Sequence, residues 1–276
     1  MRKNFILLII IVLILNIGQA TFAQGKNFIT KNNVSLEKLD DKVEGVVKLS
    51  GKTTNSKIKI LVKKDDYTKW FDVDINKGKF SKKIYLTEGK GSYKIYILVN
   101  IEGRKYKYGP EIEVINTKKV NKFLVSNKHI ESNNKEIIKL AKKITANKET
   151  DYEKAKAIYE WVIKNIEYDN KKYNKHLNDN YNQSYGALNT IKVKKGVCYD
   201  YATLVAALGR AIKLQTKVIE GKGITEDYSG LHAWNEIYIS EKNTWIKLDT
   251  TFADTANSNY FDTEEFDDNH IKQSEY

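Results

Sequence analysis

The chain has 276 residues, with 47 Lys plus Arg against 35 Asp plus Glu, a net charge of +12 and a single cysteine. A length of this order makes one large domain or two ordinary ones, and two soluble domains are expected here. One cysteine excludes a disulfide framework, and scattered histidines give no zinc-ligand spacing, so neither metal nor organic cofactor is expected. The lysines run along the whole chain without a basic stripe or a nucleic-acid motif. The charge therefore reads as a solvated surface drawn to polyanions such as cell-wall polymers, not to nucleic acid.

Residues 1–23 read as a signal peptide. Arg2 and Lys3 precede an apolar run from Phe5 to Ile17 broken only by Asn16, and Thr21-Phe22-Ala23 offers small residues to signal peptidase. The run is shorter than the roughly 20 residues that span a bilayer. No cysteine follows it to carry a lipid. The expectation is a secreted or cell-surface protein with no membrane span after cleavage.

From Val43 to Ile115 the chain breaks into short β-type runs: Val43 to Leu49, Ile58 to Val62, Trp70 to Ile75, Phe80 to Leu86, Tyr93 to Val99, Arg104 to Tyr108 and Glu111 to Ile115. Glycines, Asp65-Asp66, Asn76-Lys77-Gly78 and Gly109-Pro110 separate them, and Phe71, Val73 and Ile75 alternate with Asp72 and Asp74. This spacing predicts an antiparallel, Ig-like β-sandwich over 30–117, without the cysteine pair of antibody domains. It holds no catalytic cluster and reads as a spacer or wall-binding module.

A polar stretch, 118–134, reads as a linker into a second domain, 135–276, so the overall class is α+β. Ile137, Leu140, Ala141 and Ile144 recur at helical spacing. Thr150-Asp151-Tyr152-Glu153 forms a capping box that opens an amphipathic helix through Ile158, Trp161, Val162 and Ile166. Asp169 to Asn182, rich in Asn, Lys and Tyr, has no periodicity and reads as a loop.

The run from Tyr201 to Gly209 is apolar on nearly all sides up to Arg210 and predicts a buried helix. Cys198 stands at or just before its first turn, with Asp200 inside it, where the helix dipole and free N–H groups stabilise a thiolate. Taken alone, a free cysteine is equally an inert packing residue. Downstream, a strand at Lys217 to Glu220 leads through a flexible loop, Gly221 to Gly230, into a hairpin of Leu231 to Ile239 and Thr244 to Asp249. A loop pairing Ile239 with Thr244 sets Trp234 opposite Asp249 and leaves His232 on the same sheet face as that aspartate.

Gly196-Val197-Cys198-Tyr199-Asp200-Tyr201-Ala202, Leu231-His232-Ala233-Trp234-Asn235-Glu236 and Trp245-Ile246-Lys247-Leu248-Asp249-Thr250-Thr251 resemble, in order and spacing, the three motif blocks of the transglutaminase-like superfamily. The resemblance runs from about Ala155 to Asn269, including Tyr260-Phe261 and the acidic segment ending at His270. Thr250 departs from it, since the family often has proline there. The resemblance implies a papain-like core in which Cys198 is the nucleophile, His232 its base and Asp249 the group that fixes the imidazole.

The implied chemistry is thiol acyl transfer from an amide, either a glutamine side chain or a peptide bond, on a protein or peptide substrate. An amine resolves the intermediate to a crosslink, and water resolves it to deamidation or hydrolysis. A cysteine peptidase of the same fold and a non-catalytic surface or wall-binding protein are the alternatives. Gln183, with Tyr185 competing, is the candidate oxyanion side chain. Trp234 is expected to flank the imidazole and help exclude water, and with Tyr199 to flank the substrate. His129, His176 and His270 carry no motif, and the acidic run from Asp262 to Asp268 does not follow a calcium loop.

Overall fold

The computed structural model describes residues 27–276, so the signal peptide expected at 1–23 lies outside the described residues. The chain is mixed α+β and divides into two units. One holds Lys90–Thr117 and the described residues up to Ile84; the other holds Tyr85–Gly89 and Lys118–Tyr276.

The first unit is two five-stranded sheets. One orders β1 (Phe28–Lys31), β2 (Val34–Glu37), β4 (Val46–Thr53), β8 (Lys79–Tyr85) and β7 (Ile75–Asn76). The other orders β3 (Lys42–Val43), β10 (Lys105–Asn116), β9 (Gly91–Glu102), β5 (Ile58–Lys64) and β6 (Tyr67–Asp72). Alternate residues such as Val34, Leu36, Val47, Leu49, Ile95 and Ile97 are buried while their neighbours face outward, as a period of two requires. Arg104–Tyr108 and Glu111–Ile115, read above as two strands, form one strand. The Gly109-Pro110 pair sits at a register shift between Tyr108 and Glu111, where a residue without an N–H costs the ladder nothing.

In the second unit, helices α1 (Lys135–Ile144), α2 (Asp151–Asn165), α3 (Asn170–Leu177), α4 (Ala187–Val193), α5 (Cys198–Ala211) and α6 (Thr250–Ala256) accompany a four-stranded antiparallel sheet. Its order is β15 (Thr244–Leu248), β14 (Ser229–Ile239), β13 (Thr216–Ile224) and β16 (His270–Glu275). A short parallel pair, β11 (Glu167–Tyr168) and β12 (Lys195–Gly196), lies just before α5. Helix α5 is buried from Asp200 through Arg210 and packs against α1, α2, α4, α6, β13 and β14. Thr150 caps α2 with its hydroxyl accepting from the Glu153 N–H, and the Glu153 carboxylate returns to the Thr150 N–H.

Three expectations change. The stretch 118–134 is no free linker: Ile130 is fully buried and the Phe123 ring meets Trp245 edge-on at 5.5 Å. Within Asp169–Asn182, residues 170–177 form α3, started by the Asp169 side chain accepting from the Lys172 N–H at 2.9 Å. An N-cap can open a short helix that hydrophobic periodicity does not announce. The segment from Gly221 to Gly230 is mostly strand, because β13 continues to Ile224 and β14 starts at Ser229.

Arg210, at the far end of α5, is buried. Its guanidinium donates to the backbone oxygens of Thr216 (2.9 Å), Val125 (2.9 Å) and Tyr276 (3.0 Å). Burial lowers its pKa to about 10. No helix among the described residues is long and apolar enough to cross a membrane.

Candidate active site

The N-terminus of α5 is held from beneath. Asp200 is fully buried, and its Oδ2 accepts from the Val197 N–H at 3.0 Å and from Lys172 Nζ at 2.6 Å. Its Oδ1 accepts from the Gly186 N–H at 3.3 Å, while Lys172 also donates to the Ser184 carbonyl at 2.7 Å. Residue 196 must be glycine, since a Cβ there would fall 2.5 Å from the Asp200 Cβ. Cys198 begins the helix, so its backbone N–H has no intrahelical acceptor. Its side chain is half-buried and faces a cleft of about 1440 Å³.

His232 comes to the same cleft from β14. Its ring stacks on Phe252, 4.0 Å between centroids and 14° from parallel, with Trp234 at 6.2 Å on a near-parallel plane. Nε2 donates to Asp249 Oδ2 at 2.6 Å, and the ring also hydrogen-bonds the Cys198 side chain, which leaves Nδ1 for the sulfur. Burial alone would lower the pKa of this imidazole. The Asp249 carboxylate and the Cys198 sulfur overcome that penalty and push it up to about 10, so the ring is cationic at neutral pH.

Asp249 ends the hairpin whose loop pairs Ile239 with Thr244, and it serves as N-cap of α6. The two carboxylate oxygens divide the work. Oδ1 accepts from the N–H groups of Thr251 (2.8 Å) and Phe252 (3.1 Å), while Oδ2 meets His232 Nε2 and, at 2.9 Å, His270 Nε2. Burial would raise this carboxyl, yet His232 and then His270 hold it well below the usual carboxylate range.

Cys198, His232 and Asp249 are thus brought together. Tyr185 and Tyr199 line the cleft, their hydroxyls at 2.8 Å from His176 Nε2 and His129 Nδ1 respectively. Two expectations fail. Gln183 is not among the lining residues, because its loop turns back and its amide donates to the Asn180 carbonyl at 2.9 Å. Trp234 flanks the His232 imidazole as expected, at 6.2 Å, but it is buried and does not line the cleft where it would flank substrate; its ring also lies 4.8 Å from that of His270.

Tyr168, Tyr228 and His270 were not anticipated from the sequence. Tyr168 and Tyr228 line the cleft, and both phenols are pushed up by burial and then by the Cys198 charge, Tyr228 to about 12. Both therefore stay protonated, the Tyr228 hydroxyl donating to the Leu231 carbonyl at 2.6 Å. Pairing of Tyr168 with Gly196 sets that tyrosine beside the start of α5. Only a tyrosine three residues past the end of α2 could have marked it.

The donor atoms of His232, Asp249 and His270 lie within 4.8 Å of one another, a spacing that a cation could share. They are already satisfied by hydrogen bonds to each other. Although the chain is strongly basic, the lining residues include Glu220, Glu226 and Asp227 and neither Lys nor Arg.

Residues 138–250 match the family described as the transglutaminase-like superfamily. No curated protein sequence matches the chain. Among solved structures, a candidate cysteine protease from Cytophaga hutchinsonii is 19% identical, covers 85% of this chain and 84% of its own, and gives a TM-score of 0.42. A structure described as a TGase is 22% identical over 59% of this chain and 45% of its own, with a TM-score of 0.38. Red sea bream transglutaminase is 10% identical over 80% of this chain and 50% of its own, with a TM-score of 0.24. The chain therefore spans half or less of the length of these last two.

Proposed function

Since residues 138–250 form a domain of the transglutaminase-like superfamily, we propose that Cys198, His232 and Asp249 carry out acyl transfer from an amide. The observation that carries the reading is the His232 ring, bonded to Asp249 at 2.6 Å through Nε2 and to the Cys198 side chain on its other side. The Cys198 sulfur attacks the amide carbonyl carbon, and the backbone N–H of Cys198 with the Tyr168 hydroxyl stabilises the oxyanion. His232 passes its proton to the leaving amine as the C–N bond breaks, and a thioester remains. It then takes a proton from the incoming nucleophile, and the sulfur leaves as the new bond forms. Asp249 holds the imidazole in the donating orientation throughout.

The charge of the cleft favours an amine as the second substrate. Three carboxylates, several tyrosine faces and no lining Lys or Arg suit a cationic side chain on approach. Crosslinking, or deamidation of glutamine side chains when water takes the amine's place, is therefore preferred over peptide cleavage. The N-terminal unit serves in this reading as an Ig-like sandwich that spaces a secreted catalytic domain from the cell wall, whose polyanions the basic surface attracts.

The test is incubation with a glutamine-donor protein and a labelled primary amine, comparing the wild type with Cys198→Ala. Labelled protein that disappears in the variant supports transfer, whereas unlabelled fragments support a peptidase. No product, together with a Cys198 that iodoacetamide alkylates no faster than a model thiol, makes the domain a binding module and overturns the proposal.

A further inference from the structure

Asp249 Oδ2 receives two imidazoles, and only one of them belongs to the chemistry described above. The second, His270, opens β16 and has a side chain with 0% exposure. Its ring lies flat on Phe266, 4.0 Å between centroids and 12° from parallel, and is tilted against Phe252 at 5.3 Å. Both its nitrogens have partners: Nδ1 is 2.8 Å from the Phe266 carbonyl oxygen and Nε2 is 2.9 Å from Asp249 Oδ2.

A carbonyl oxygen only accepts, so Nδ1 carries a proton. A neutral imidazole has one N–H, which would leave a lone pair on Nε2 pointing at the carboxylate. The two bonds coexist when the ring is protonated on both nitrogens. The titratable groups facing it among the described residues are Asp249, the His232 ring at 5.8 Å and the Tyr260 ring at 6.1 Å.

Resting on the triad reading, we infer that His270 is a positioning residue: as an imidazolium it clamps Asp249 Oδ2 from the β16 edge of the sheet and so keeps the His232 ring aimed at Cys198. The other carboxylate oxygen is already committed to the N–H groups of α6. The side chain is therefore held at both oxygens and cannot turn about its Cβ–Cγ bond. With His270 gone, Oδ2 keeps His232 as its single donor, so nothing on the β16 side opposes a joint tilt of the carboxylate and the imidazole about the Oδ1 anchor.

The test uses the full chain and follows iodoacetamide alkylation of Cys198 against pH, so it needs no substrate. His270→Leu should lower the neutral-pH rate about tenfold, as loss of an orienting partner typically does, and move the acid limb upward. His270→Gln, whose amide can donate from the position of Nε2, should recover most of the rate. Equal impairment of both folded variants, or a wild-type rate and profile in His270→Leu, overturns the inference. Should His270→Leu not fold, nitrogen NMR of the wild-type ring decides: two protonated nitrogens at neutral pH support the clamp, and a neutral ring with a bare Nε2 overturns it. Slow wild-type alkylation that His232→Ala leaves unchanged sinks the triad itself. Fast alkylation that depends on His232, combined with a neutral His270, sinks only the clamp.

Discussion

Gly223 pairs with Gly230 of β14, diagonal to His232, and a methyl group there has nowhere to go. A Cβ on residue 223 would stand 2.8 Å from the Cβ and Cγ of His232 and 2.8 Å from the Phe252 ring. Carbon atoms rest at about 3.5–4.0 Å, so the imidazole must retreat by at least about 0.7 Å. It cannot rotate aside, because Phe252 stacks on one face and Nε2 is tied to Asp249. Overpacking of this kind costs about 1–3 kcal/mol of stability. A displacement approaching an ångström at the reacting groups costs up to about a hundredfold in rate. Gly223→Ala should therefore slow Cys198 alkylation and amine incorporation by one to two orders of magnitude (about 10–100-fold) while the protein stays folded. The control is Gly209→Ala inside α5, where a Cβ meets the Thr216 hydroxyl, far from the imidazole. It should lose comparable stability and keep its reactivity. If Gly223→Ala alkylates at the wild-type rate, the close approach does not position His232 and the reasoning is wrong.

The pair of shifted groups gives stability its own pH dependence. The His232 pKa rises from 6.5 to about 10, so its contribution is complete below 6.5 and is lost as pH climbs through about 10. Asp249 is depressed, so its contribution is present above its ordinary 3.8 and is lost as pH falls well below that. Melting temperatures between pH 6.5 and 10 should fall more steeply for the wild type than for His232→Gln, and parallel curves would refute the assignment. Lys172→Met strands the buried Asp200 carboxylate under α5 and should cost about 3–5 kcal/mol, as loss of one partner of a buried ion pair does. Urea unfolding measures this, and a loss below about 1 kcal/mol would mean that Asp200 finds its compensation elsewhere.

Cys198, His232 and Asp249 were legible because each lies in a pattern that local rules decode. An apolar run announces α5 with Cys198 at its head, and a short hairpin loop sets the register that puts His232 and Asp249 on one face. His270 was not legible, because it reaches Asp249 on a strand that joins the opposite edge of the sheet, and no spacing in the chain encodes that pairing. Gln183 failed for the converse reason: nearness to Cys198 in sequence says nothing about which way an Asn-rich loop turns. Gly221 and Gly223 read as loop formers, whereas their lack of a side chain serves close packing inside a strand, against Ile271 and Trp234 for one and His232 for the other. Glycine marks tight quarters as readily as it marks freedom.

Helix α5 is anchored at both tips, by the Lys172–Asp200 pair in its first turn and by the three backbone oxygens that Arg210 grips at the other end. A rod fastened in this way can neither slide nor roll, so the thiol is a stationary anvil. Whatever accommodation a bulky guest demands must come from the surrounding rim, chiefly the tip joining β13 to β14 and the stretch between α3 and α4. Variation there would retune which guests are admitted and leave the hammer stroke itself unchanged.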